Sequence, residues 1–227
     1  MNHVLVTGAG RGIGLEMVKQ LLKRGDFVLA TFRGTEPPPS LLSLACANLE
    51  FHPLRVTHAK DIETLAETLE GRTIDLLINN AGIIGPKHQA YNDMDVSGWL
   101  ETFEINTIAP LMITTALIPN LTLSSNPRVI TISSQMGALN RDAKGMLAYR
   151  SSKAAVNKVM QVLSLELKEQ GITVCPVHPG WVKTDMGGDK ADITTQESAD
   201  GILALADRLS IENSGTFFTW EGNFHEW

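Results

Sequence analysis

Tyr149 and Lys153 stand four residues apart at the head of a strongly helical run, Ser151 to Gln170. Helical spacing puts them one above the other on a single face. A free phenol titrates near about 10 and is a poor acid–base group at neutral pH. An ammonium beside it favours the phenolate and pulls the pKa toward the working range. Ser134 follows an apolar strand-like run, Val129 to Ile132. Its hydroxyl could hold a carbonyl oxygen beside that phenol. Ordinary surface helices carry the same Tyr-x-x-x-Lys spacing, so the rest of the chain must decide.

The elements that would position these groups begin at the amino end. Val4-Leu5-Val6-Thr7 reads as a short buried strand. Gly8-Ala9-Gly10-Arg11-Gly12-Ile13-Gly14 follows at once, and Leu15 to Arg24 reads as a helix ended by Gly25. Strand, glycine turn and helix form the setting a dinucleotide-binding loop needs. Gly8, Gly12 and Gly14 let the backbone turn tightly and approach a pyrophosphate. The helix start then offers free N–H groups and a positive dipole end. The spacing is G-x-x-x-G-x-G rather than G-x-G-x-x-G, and a plain turn is the competing reading.

Phe27 to Phe32 is the next strand. Many NAD-binding units carry an acid at its end for the ribose 2′-hydroxyl. Here Thr31, Phe32 and Arg33 stand there, without an acid. Arg33, with Arg11 from the glycine loop, could clamp a 2′-phosphate with planar guanidinium forks. That favours NADP(H) and leaves NAD(H) open, since both could equally be solvated loop arginines.

Thr35 to Pro39 reads as a proline-rich loop and Leu49 to Val56 as a third strand. Asp61 to Leu69 reads as a helix with Asp61 as its cap. Ile74 to Ile78 is a fourth strand, ending in Asn79-Asn80-Ala81-Gly82, where an open parallel sheet places its ligands. Tyr91 to Trp99 leads into a long helix, Leu100 to Ile118. Asn106 and Pro110 are poor residues for its interior, so Asn106 marks either a solvated position or a local break lining the site. Arg128 to Ser133 and Ile172 to Val177 are further strands. The loop from His178 to Met186 follows, then a helix, Ser198 to Leu209, and a seventh strand, Thr216 to Trp220. Apolar strands separated by helices predict an α/β fold, a doubly wound parallel sheet with helices on both faces.

The 227 residues suit one domain, without linker or repeat. With 43% hydrophobic residues the chain can build a real core. A net charge of −6 and no basic run argue against a nucleic-acid partner. No apolar run is long enough to span a bilayer. Met1-Asn2-His3 leads straight into the first strand, so no signal peptide is expected. Cys46 and Cys175 lie far apart without metal spacing, which fits free thiols in a reducing cytoplasm. No metal site is expected.

Taken together, Thr7 to Gly14, Asn79 to Gly82, Asn106, Ser134, Tyr149 to Lys153 and Pro179-Gly180 closely resemble the short-chain dehydrogenase/reductase family over essentially the whole chain. The small size, the stretch Pro179 to Gly188 and Ser214-Gly215-Thr216-Phe217 look more like its C-factor and sniffer-like carbonyl reductase branch. The resemblance implies a Rossmann fold with a seven-stranded parallel sheet, its cofactor half at about 1–120 and its catalytic half at about 121–227. It implies Tyr149 as the acid–base residue and Ser134 as the group orienting a small-molecule carbonyl or alcohol. Lys153 would bind the nicotinamide ribose and depress the Tyr149 pKa, and Asn106 would hold a relay water behind it. Cofactor contacts would come from Gly8, Gly10, Arg11, Gly12, Ile13, Gly14, Arg33, Val56, Asn80, Ala81, Gly82, Tyr149, Lys153, Pro179, Gly180, Val182 and Thr184. Asn79 would sit near the adenosine ribose. Homodimers or homotetramers through the two long helices are implied as well. A dinucleotide-binding regulatory protein of C-factor type and an NAD-linked alcohol dehydrogenase are the alternatives. Arg55-Val56 stands where many relatives carry Asp-Val, which puts that adenine contact in doubt. The Gln135 to Ala148 loop is longer than the family pattern. Trp181, Met136 and Met146 could wall a substrate pocket or simply pack.

Overall fold

The computed structural model describes residues 1–227. Its strands are β1 (His3–Val6), β2 (Phe27–Phe32), β3 (Leu49–Pro53), β4 (Leu76–Asn79), β5 (Gln89–Ala90), β6 (Asp93–Met94), β7 (Arg128–Ile132), β8 (Thr173–His178) and β9 (Phe218–Thr219). Seven of them form one parallel sheet in the order β3-β2-β1-β4-β7-β8-β9, while β5 and β6 pair as a separate antiparallel hairpin. The main helices are α1 (Gly12–Lys23), α2 (Pro39–Leu42), α3 (Ala59–Thr68), α4 (Val96–Phe103), α5 (Ala109–Ala116), α6 (Ile118–Leu121), α7 (Leu147–Glu166) and α8 (Thr195–Arg208).

Strand side chains alternate between faces, and both faces here are apolar. Val4, Val6, Ile78 and Ile130 enter one core, covered by α1 and α8. Leu5, Leu77, Val129 and Val174 enter the other, covered by α3, α5 and α7. Chain order reverses between β1 and β4, so a crevice opens outside the carboxyl ends of these strands. The glycine loop and Asn79 to Gly82 both leave the sheet there.

Several boundaries differ from the sequence expectations. The single helix expected over residues 100–118 is α4, a π-turn at Glu104–Ile108, and α5. Asn106 lies inside the π-turn, so the local break is real. Helix α7 starts at Leu147, four residues before the expected Ser151, which puts Tyr149 in its first turn. Asp61 is not a cap: His58 holds that position, and the Asp61 carboxylate accepts from the Arg55 Nε at 2.8 Å and Nη2 at 2.7 Å. The guanidinium, first through this hydrogen bond, holds the Asp61 carboxyl far below its usual range. The β5–β6 hairpin was not expected, because two-residue strands carry no readable period.

Candidate active site

The glycine loop is shaped for close approach. Gly8 and Gly12 have φ of +65° and +56°, a region that favours glycine. A Cβ on Gly14 would lie 2.5 Å from Asn80 Nδ2 and from the Gly8 carbonyl oxygen. The start of α1 has Arg11 at its N-cap, no side-chain cap and no acid in the first turn. Its orphan N–H groups are therefore left for an anion. Ile13 packs partly buried against the core below. Gly10 receives the Ser40 hydroxyl on its carbonyl at 2.9 Å, which anchors the α2 segment to the loop. The Ala9 amide donates to the Thr31 carbonyl at 2.8 Å and so ties the loop to the end of β2.

Asn80 braces the crevice: its amide donates to the Thr7 and Gly8 carbonyls at 2.9 and 3.2 Å. The Ala81 amide donates to the Thr7 hydroxyl at 3.1 Å. Asn79 goes elsewhere. It is buried and donates to the Thr114 hydroxyl at 3.0 Å, so it packs inside the fold rather than at a ribose. Its strand parity turns it toward α5 while Asn80 turns toward the crevice. Val56 is partly buried against the core beyond β3.

The two arginines are placed differently. Arg33 is exposed at the end of β2 and makes no hydrogen bond or ion pair. Arg11 instead pairs with Asp185 at 2.8 Å across the crevice. Both ends of that pair are largely exposed, which makes it weak. The loop carrying Asp185 is built by Pro179, Gly180, Val182 and Thr184. The Pro179 carbonyl accepts from the Ser198 hydroxyl at 2.6 Å. Gly180 has φ of +87°, and a Cβ there would run into the Ile193 side chain. Val182 is buried and bridges to Ile193. Thr184 comes within 3.5 Å of where a Gly12 Cβ would stand. Trp181 turns back, its indole donating to the Gly187 carbonyl at 2.9 Å.

Ser134, Tyr149 and Lys153 are all buried at the carboxyl end of β7. Ser134 accepts from the Met136 amide at 3.1 Å. Burial raises the Tyr149 pKa, and the Ser134 hydroxyl facing it pulls the other way. The Lys153 ammonium lies 5.8 Å from the Tyr149 ring centroid. It donates to the Ile132 carbonyl at 2.8 Å, and burial brings its pKa down to about 8.

Asn106 braces this group. Its Oδ1 accepts from the Ile83 amide at 2.9 Å, and its Nδ2 donates to the Ile83 carbonyl and the Ser152 hydroxyl at 2.9 and 3.0 Å. A Cβ on Gly82 would stand 3.2 Å from Asn106 Oδ1 and 3.7 Å from Lys153 Nζ. Gly137, which the sequence did not single out, lets the turn after Ser134 press on α7, since a Cβ there would meet the Lys153 main chain at 2.5 Å.

A short chain dehydrogenase family model matches residues 2–194. The C-signal of Myxococcus xanthus is 41% identical over 156 residues, 68% of this chain and 93% of that protein. A NADPH-bound carbonyl reductase from chicken fatty liver is 37% identical, with a TM-score of 0.93 over 100% of this chain and 99% of its own. The carbonyl reductase Sniffer of D. melanogaster is 31% identical, with a TM-score of 0.95 over 100% of both chains. On this evidence of sequence, sheet order and crevice, the chain belongs to the short-chain dehydrogenase/reductase family of oxidoreductases.

Proposed function

We propose that this chain is an NADP(H)-dependent carbonyl reductase acting on small-molecule substrates. The observation that carries it is the meeting of Tyr149, Ser134 and Lys153 at the carboxyl end of β7, beside a glycine loop with uncapped helix amides. The Ser134 hydroxyl donates to the substrate oxygen and orients it. Burial keeps the Tyr149 phenol protonated at neutral pH, as a proton donor to a developing alkoxide must be. The buried Lys153 ammonium would add positive charge near that oxygen and bind the nicotinamide ribose. Asn106 has spent its side-chain amide on Ile83 and Ser152, so a relay water behind Lys153 would rest on main-chain carbonyls of the π-turn. The reduced nicotinamide, when bound, supplies the hydride.

The cofactor assignment rests on the glycine cradle, on the unpaired Arg33 and on the NADPH held by the 37% identical chicken reductase. Arg33 and Arg11 are the groups for its 2′-phosphate, and Gly8 to Gly14 with Asn80 to Gly82 hold its pyrophosphate and adenosine side. Pro179, Gly180, Val182 and Thr184 border its nicotinamide. Exposed Leu100, Ile108, Met112 and Leu165 on α4, the π-turn, α5 and α7 favour a homodimer or homotetramer, which a monomeric sedimentation coefficient would refute. Two unpaired cysteines fit a cytoplasmic setting, and no helix is long and apolar enough to cross a membrane.

The test is cofactor oxidation with NADPH and NADH side by side, against aldehydes, quinones and diketones. Turnover with NADPH preference, abolished in Tyr149→Phe with cofactor binding kept, supports the reductase. Full activity in Tyr149→Phe sinks the role of that residue. NADH preference moves the weight to an alcohol dehydrogenase. The 41% identity to C-signal favours a regulatory role as the second reading, and tight cofactor binding without turnover on the whole panel would select it.

A further inference from the structure

Helix α7 carries Tyr149 in its first turn but has no capping side chain of its own. Met146 occupies the N-cap position in the left-handed region at φ 55°. Each helix start leaves its first four N–H groups without intrahelical partners. The Tyr149 amide is one of them, and it donates to Gln89 Oε1 at 3.1 Å. Gln89 lies 60 residues earlier, in the β5–β6 hairpin. Its own amide donates to the Ile84 and Pro86 carbonyls at 3.2 and 2.8 Å. One side chain thus ties the catalytic turn to the segment that follows Asn80-Ala81-Gly82. That segment lies against the helix start: a Cβ on Gly85 would stand 3.6 Å from Ala148 Cβ.

The neighbouring residues are held from other directions. The Trp99 indole donates to the Ser151 hydroxyl at 2.9 Å. Asn106 and Thr107 hold Ser152 through its hydroxyl at 3.0 Å and its carbonyl at 2.9 Å. The amide of Tyr149 therefore depends on Gln89 alone, and losing that bond acts locally, at the residue whose phenol must meet Ser134.

We propose that Gln89 is a positioning residue for proton transfer: it caps α7 from the hairpin and sets the Tyr149 phenol against Ser134. This rests on the reading of Tyr149 as the proton donor. Small misplacements of a reacting group cost large factors in rate, so the effect falls on kcat rather than on cofactor binding.

The experiment compares steady-state kinetics, NADPH affinity and thermal midpoint in Gln89→Met and Gln89→Glu. Gln89→Met keeps the volume and removes every hydrogen bond. Its kcat should drop on the order of tenfold, with NADPH affinity within about twofold of the parent protein. Gln89→Glu keeps an acceptor for the Tyr149 amide at a helix start that suits a carboxylate, but sets its second oxygen against the Ile84 and Pro86 carbonyls, so kcat should fall between that of Gln89→Met and the parent protein. If Gln89→Met does not fold, Gln89→Asn, too short to reach the amide, takes its place. Unchanged kcat in the loss variant overturns the proposal, and so does an equal fall of kcat and NADPH affinity in both Gln89 variants. If Tyr149→Phe itself turns over normally, the proton-donor reading has failed instead.

Discussion

The Lys153 ammonium donates to the main-chain carbonyl of Ile132 at 2.8 Å, two residues before Ser134. One bond thereby joins α7 to the strand that leads into Ser134. Burial lowers this ammonium to about 8, so it is charged at neutral pH and loses its proton just above it. We expect kcat/KM for carbonyl reduction to be level from about pH 6 to 7.5 and to fall above about pH 8. Lys153→Met should be inactive at every pH. A rate that holds level to pH 10 would show that the ammonium is dispensable.

Arg33 is unpaired and Arg11 is held by Asp185. The two should therefore contribute unequally to 2′-phosphate recognition. Arg33→Ala is expected to weaken NADPH binding roughly ten- to a hundredfold and leave NADH binding unchanged, since a charge-assisted hydrogen bond is worth roughly 1.5–3 kcal/mol. Arg11→Ala should cost less. Fluorescence titration with both cofactors measures this, and equal losses for NADPH and NADH in Arg33→Ala would remove the residue from the phosphate site.

Gly14 has no space for a methyl group, since its Cβ would lie 2.5 Å from both Asn80 Nδ2 and the Gly8 carbonyl oxygen. Gly14→Ala must push the glycine loop away from Asn80. We expect a stability loss of about 1–3 kcal/mol and a larger loss of cofactor affinity. Urea unfolding with and without NADPH separates the two effects. Wild-type stability and affinity together would mean that the crevice is looser than its geometry.

His178 ends β8, buried beneath the carboxyl-terminal tail, with Nδ1 unpartnered. Burial first, then His225 and Arg141, lowers its pKa from 6.5 to about 4. The folded state thus prefers the neutral ring. Its contribution is complete above about pH 6.5 and is lost as the pH falls from there through about 4. Denaturant unfolding should show roughly 2 kcal/mol less stability at pH 5 than at pH 7.5 from this group. His178→Leu should flatten that slope, and an unchanged slope would assign the acid sensitivity to other groups.

The glycine loop and the strands were legible in the amino-acid order, because each rests on local pattern, while the Tyr149 and Lys153 spacing also fits a surface helix and was singled out with Ser134 only through the rest of the chain and its family resemblance. Continuous apolar runs mark strands buried on both faces, and glycine spacing decides where the backbone can turn. Asn106 and Pro110 even marked the π-turn, as residues that sit poorly inside a helix. The bonds that aim the side chains of the crevice were not legible. Gln89 meets Tyr149 across 60 residues and Arg11 meets Asp185 across 174. Asn79 and Asn80 look alike in the chain, yet one packs under α5 and the other braces the glycine loop. Such pairings depend on strand order and on how the loops leave the sheet, and no short-range period encodes either. Side-chain chemistry was thus set residue by residue along the chain, while the direction in which each group points was decided only when the parallel sheet brought its carboxyl ends together.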